Sequence, residues 1–92
     1  MTPQKRVLYV EDNPDHADLV LRGFEVHGLR TIDHVEDGAA ALDRLTAEPA
    51  AFDLLITDHH MPGVNGLELV RRLAATAFKG RILVFSSELD AA

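Results

Sequence analysis

The sequence predicts an α/β protein built on a parallel sheet with helices on both faces. Four short apolar runs recur along the chain, three stretches of helical periodicity separate them, and the connections between them are short. Strand and helix therefore alternate as β-α-β-α-β-α-β. Strands joined through helices in this way lie parallel, with right-handed crossovers.

The first strand is Val7–Val10, an unbroken apolar run of the kind buried on both faces, with acids following at once. Asn13 and Pro14 then supply a helix cap and a first-turn proline. Ala17, Val20, Leu21 and Phe24 mark one face of the helix, which ends at Gly28. Gly23 inside this helix costs about 1 kcal/mol relative to Ala. That leaves two readings, a packing demand for a small residue or a locally weak helix.

Residues 29–35 form a poorer strand, with Asp33 and His34 inside it, and belong at a sheet edge. Asp37-Gly38 opens a second helix with Ala41, Leu42 and Leu45 inward and Pro49 beyond its end. Residues 52–57 are the third strand. Asn65 caps a helix whose apolar face is carried by Leu67, Val70 and Leu73, and Gly80 separates it from a fourth strand at 82–85.

At 92 residues the chain allows one domain. A domain of this size buries only about 60–65% of its unfolded surface, so its core has little redundancy. Fifteen acids against nine bases give a net charge of −6, with no block of Lys or Arg, and direct nucleic-acid binding is not expected. The absence of cysteine excludes disulfides and thiolate metal sites and fits a reducing cytoplasm, the expected location. No apolar stretch is long enough for a membrane span or a signal-peptide core.

In a parallel α/β sheet, ligands bind outside the carboxyl ends of the strands, near the point where strand order reverses. Glu11 and Asp12 follow the first strand, Asp58 the third, and Ser86 and Ser87 the fourth. With the first, third and fourth strands as neighbours, three carboxylates and a hydroxyl meet at one end. Like charges so placed raise one another's pKa unless a cation joins them, and an oxygen-only set suits Mg²⁺. Beside a metal, Asp58 can also act as a nucleophile towards a phosphoryl group.

Each residue also has a plainer role. Glu11-Asp12 suits a helix start, Asp58 a strand-end turn, and the serines a cap. Their coincidence at one end of consecutive strands favours the site. The His59-His60 doublet invites a transition-metal reading. In an extended segment, however, adjacent side chains point to opposite sides, so a loop-facing or solvated pair is expected. His16, His27 and His34 read as surface residues.

Taken together and in order, "VLYVEDNP", "LLITDHHMPGVNGLEL" and "ILVFSS" resemble the receiver domain of two-component response regulators, across essentially the whole chain. The resemblance implies a flavodoxin-like three-layer sandwich with strand order 2-1-3-4. It implies that Asp58 accepts a phosphoryl group from a histidine kinase or phosphotransfer protein. Asp12 and Asp58 would bind Mg²⁺ directly, Glu11 would hold a metal-bound water, and His60 would give its backbone carbonyl. Ser86 matches the hydroxyl that senses the phosphate, and the side chains of His60 and Glu88 match positions that tune aspartyl-phosphate lifetime. Stand-alone receivers paired with phytochrome-type kinases are the nearest subgroup in appearance.

The family fold also carries a fifth strand and further helices. The resemblance thus implies a single receiver domain over residues 1–92, stopping after its fourth strand. Nothing in it corresponds to the family's fifth-strand lysine or aromatic switch residue. An exposed fourth strand would then favour a homodimer. Two other functions compete: a phosphorylation-independent binding or dimerisation module on the same fold, and a Mg²⁺-dependent phosphohydrolase. The latter lacks an acid/base carboxylate near Asp58, since no acid follows it until Glu68.

Overall fold

The computed structural model describes residues 6–28, 31–61 and 63–85. Along them run β1 (Val7–Val10), α1 (Pro14–Val26), β2 (Ile32–Val35), α2 (Gly38–Ala47), β3 (Leu54–Asp58), α3 (Gly66–Leu73) and β4 (Arg81–Phe85). All four strands form one parallel sheet in the order β2-β1-β3-β4, as the sequence predicts, with β2 at an edge. Residues 29 and 30, expected in the second strand, lie outside the described residues.

All three helices begin on a side-chain cap that satisfies backbone N–H groups the helix cannot. Asn13 accepts from the amides of Asp15 and His16, Asp37 from Ala40 at 2.7 Å, and Asn65 from Glu68 at 2.9 Å. Each such cap stabilises its helix by about 1 kcal/mol. Gly28, at φ +86°, closes α1 in the left-handed conformation that glycine adopts without strain.

Alternation along the strands divides the interior into two cores. Leu8 and Val10 point from β1 towards α2 and α3, where they join Ala41, Leu45, Leu55, Leu69 and Leu73. Val7 and Tyr9 point the other way, packing with Ala17, Val20, Leu21 and Phe24 of α1 and with Ile56. The result is a three-layer sandwich with α1 on one face and α2 and α3 on the other.

One expectation changes, and one open reading closes. Leu67 is 59% exposed, and the buried face of α3 runs through Gly66, Leu69 and Leu73. A Cβ on Gly66 would lie 2.9 Å from His59 Cα and 3.1 Å from Asp58 O, so the start of α3 presses on the end of β3. With position 66 turned inward, helical spacing brings positions 69 and 73 inward as well. A Cβ on Gly23 would meet nothing within 4 Å, so no packing contact demands a glycine there.

Among the described residues β4 pairs only with β3, and Leu83 on it is 54% exposed. Among the same residues no helix is long and apolar enough to cross a membrane.

Candidate functional site

The strand order turns back between β1 and β3, because β2 lies on one side of β1 while β3 and β4 lie on the other. Val10 stands beside Thr57 in the register, so Glu11 and Asp58, one residue further along each strand, are neighbours at this switch point. Asp58 is the last residue of β3 rather than the first beyond it, and it pairs with Phe85 of β4. Ser86 and Glu88 lie outside the described residues.

Glu11 and Asp58 are each only 1% exposed, whereas Asp12 sits exposed on the rim. Burial pushes the Glu11 carboxyl above its ordinary pKa. The Asn13 amide, donating to Oε2 at 3.2 Å, opposes that rise, while Asp12 and the charge on Asp58 add to it. Tyr9 is fully buried beneath Glu11, with its hydroxyl 3.5 Å from Oε1. Burial, and then the Glu11 charge, raise its pKa far enough that the phenol keeps its proton and remains a donor.

Asp58 is fixed from three directions. Its Oδ1 accepts the His60 amide at 3.1 Å, and its backbone carbonyl accepts the buried Thr57 hydroxyl at 3.0 Å. The next residue, His59, donates its amide to Phe85 O at 2.7 Å, tying the end of β3 to β4. Gly66 N–H in turn donates to His59 O, which brings α3 against the same turn.

Several of these contacts were not foreseen. His34, expected at the surface, is half-buried: its ring lies 5.7 Å from that of Tyr9, and its Nε2 is 2.9 Å from Glu11 O. The His59 and His60 rings lie 5.0 Å apart rather than on opposite sides, because the chain bends as it leaves β3. His59 Nδ1 is buried without a hydrogen-bond partner among the described residues. Thr57, Tyr9 and Asn13 carry no signal of a site role in sequence, since each reads as ordinary strand or cap material until the parallel register sets them around the acids.

Among the described residues, no three His, Cys, Asp or Glu side chains close up into a metal cage of their own. Glu11 and Asp58 come together, and Asp12 bounds them from the rim. Such a set fits a hard divalent cation such as Mg²⁺, which takes one or two carboxylates and completes its shell with waters. Two adjacent buried carboxylates, one with a raised pKa, are the electrostatic situation that such a cation relieves.

A parallel α/β domain with an acidic pair after β1 and a buried aspartate ending β3 matches a known family. The family profile of the response regulator receiver domain covers residues 7–92. The chain belongs to this family. It is 41% identical over 68 residues to the response regulator receiver protein CpdR of Brucella abortus, and 33% identical over 85 residues to the transcriptional regulatory protein CutR of Streptomyces coelicolor. These matches take in 74% and 92% of this chain but only 54% and 38% of those proteins, so the chain spans about half or less of their length.

Among solved structures, it superposes with a TM-score of 0.79 and 28% identity on a chain from the complex of histidine kinase ThkA with response regulator protein TrrA, covering 97% of this chain and 75% of that one. The receiver domain of the histidine kinase CKI1 from Arabidopsis thaliana, complexed with Mg²⁺ and BeF₃⁻, gives the same TM-score at 20% identity, covering 96% of this chain and 69% of that one. At that identity the likeness concerns the fold.

Proposed function

We propose that this receiver domain accepts a phosphoryl group on Asp58 from a phosphohistidine of a kinase or phosphotransfer protein, with Mg²⁺ held by Asp12 and Asp58 and, through a water, by Glu11. The observation that carries this reading is the pairing of buried Glu11 with buried Asp58 at the switch point. A carboxylate oxygen of Asp58 attacks phosphorus as the P–N bond of the donor breaks, and the imidazole nitrogen leaves with the electron pair. Held by these carboxylates, a divalent cation would supply positive charge to the phosphoryl oxygens.

The protein's own part is positioning. The His60 amide orients Asp58 through Oδ1, Tyr9 and Asn13 hold Glu11, and the His60 carbonyl is a further ligand in this reading. Asp58 is 1% exposed, so transfer requires its surroundings to open towards the donor. Ser86, one residue beyond Phe85, is assigned as the hydroxyl that meets the phosphate. The domain acts as a signalling module in the cytoplasm rather than as a turnover enzyme.

The exposed face of α1 is the surface we propose for docking. Leu19 and Val26, 71% and 82% exposed and seven residues apart on α1, flank the open surface at Gly23. This apolar ridge belongs to the helix whose cap, Asn13, also holds Glu11, and it suits a helix of the kinase. Leu19→Asp with Val26→Asp is expected to slow transfer from the kinase while leaving phosphorylation by a small donor unchanged. Among the described residues β4 pairs only with β3, and we propose its outer side as a second contact, with another copy, which sedimentation would detect as a dimer.

Tyr9 is the single tyrosine of a chain without tryptophan, so its fluorescence reports on Glu11 directly. Titration with Mg²⁺ should give a saturable change that Asp58→Asn weakens at least tenfold. A titration unaffected by that substitution would refute the metal assignment.

A further inference from the structure

At the amino end of the sheet, away from Asp58, an open cleft of about 460 Å³ lies between the start of β4 and the segment that enters β3. Its walls are apolar at Pro49, Ala50 and Ala77, and its floor is the buried ring of Phe52. Lys79 and Arg81 stand on the rim, both exposed, and neither forms an ion pair among the described residues. The one carboxylate in the lining, Asp53, already accepts the Arg6 amide at 3.0 Å.

The charge behind the floor has the same sign. Arg6 and Arg44 lie over the Phe52 ring at 4.7 and 5.4 Å, and both guanidinium groups share one acceptor, Asp33 Oδ2. Within the lining itself, two cations, Lys79 and Arg81, stand against one carboxylate, Asp53, in a chain whose net charge is −6.

The cleft is also preformed. Thr76 Oγ1 donates to Leu73 O at 2.7 Å and accepts the Phe78 amide at 3.2 Å, which shapes the segment before β4. A Cβ on Gly80 would come within 2.8 Å of Asp53 O and closer still to the Phe78 ring, so the two walls meet there at backbone distance. Arg81 N–H then donates to Asp53 O at 2.9 Å and fixes the join.

We infer that this cleft binds a small organic anion, a carboxylate, sulfonate or phosphate on a compact apolar body, with the anion on Lys79 and Arg81 and the body against Ala50, Ala77 and Phe52. The volume falls in the range of small-molecule sites, and a site of this class combines an apolar lining with a few charged groups that fix orientation. Both cations are solvent-exposed, so binding weakens as salt is added. Nothing in this inference depends on Asp58 or on Mg²⁺.

The test is an amide-resolved NMR titration of the full chain with naphthalene sulfonate, beside the neutral naphthyl alcohol of similar size. Saturable shifts centred on Ala50, Asp53, Ala77 and Gly80, absent with the alcohol and about tenfold weaker in Lys79→Ala/Arg81→Ala, are expected. Equal binding of the alcohol, an unchanged affinity in the double variant, or shifts centred on Leu19 and Val26 would overturn it. The Asp58 amide serves as the reference, since its resonance should stay in place in the variant.

Discussion

An ion-pair network near the amino end of the sheet and the acidic cluster at its carboxyl end each join three charged groups across neighbouring elements, with opposite arrangement of sign. At the amino end Arg6, Asp33 and Arg44 alternate in sign and keep 37–40% of their side chains in water. At the carboxyl end Glu11, Asp12 and Asp58 share a sign, and two of them are buried. Alternating, half-exposed charges satisfy one another at little cost. Buried charges of one sign are costly until something from outside completes them, and sites that bind ions or transfer charged groups have this character. The difference separates a network whose charges satisfy one another from a cluster that a counter-ion would complete.

The largest effect should come from the backbone contact that shapes the acidic end. Gly66→Ala forces a Cβ against His59 Cα and Asp58 O, and is expected to destabilise the fold by about 1–3 kcal/mol. Urea unfolding measures the loss, and slower phosphorylation should accompany it, whereas an unchanged midpoint would mean that the turn does not rest on α3.

That contact also marks the limit of what the sequence discloses. The apolar runs, the caps Asn13, Asp37 and Asn65, and the strand-end acids are local signals, and the structure holds each of them, with β3 starting at Leu54 and taking in Asp58 as its last residue. The inward face of α3 is not a local signal. Leucines at 67, 69 and 73 leave an eight-residue helix with two candidate stripes, and the close approach at Gly66 decides between them. The surroundings of Glu11 are likewise set by register. His34 looks like a surface histidine until β2 pairs with β1 and lays it beside Tyr9.

Glu11→Gln should act in the opposite direction to most core substitutions, stabilising the metal-free protein by about 1 kcal/mol because a buried charge disappears. The pH dependence follows from the raised pKa of Glu11. A carboxyl that titrates higher when folded binds more protons in the native state than in the unfolded chain, so stability falls as pH rises from the ordinary glutamate value through the raised one. In chelator the unfolding midpoint should decline across that window, Mg²⁺ should flatten the decline, and Glu11→Gln should remove it. A midpoint that rises with pH across the window would contradict the account.

The smallest effect belongs to the other end. Asp33→Asn breaks two ion pairs that are more than a third exposed, and should cost less than about 1 kcal/mol, shrinking as salt is raised. A loss comparable to that at Gly66 would erase the contrast between the two ends.

The central claim, that Asp58 is the group the buried acidic end exists to serve, is tested most directly by intact mass after incubation with Mg²⁺ and acetyl phosphate. The protein should gain the mass of one phosphate and Asp58→Asn should gain none. An equal gain in both, or no gain in the unaltered protein, would contradict it.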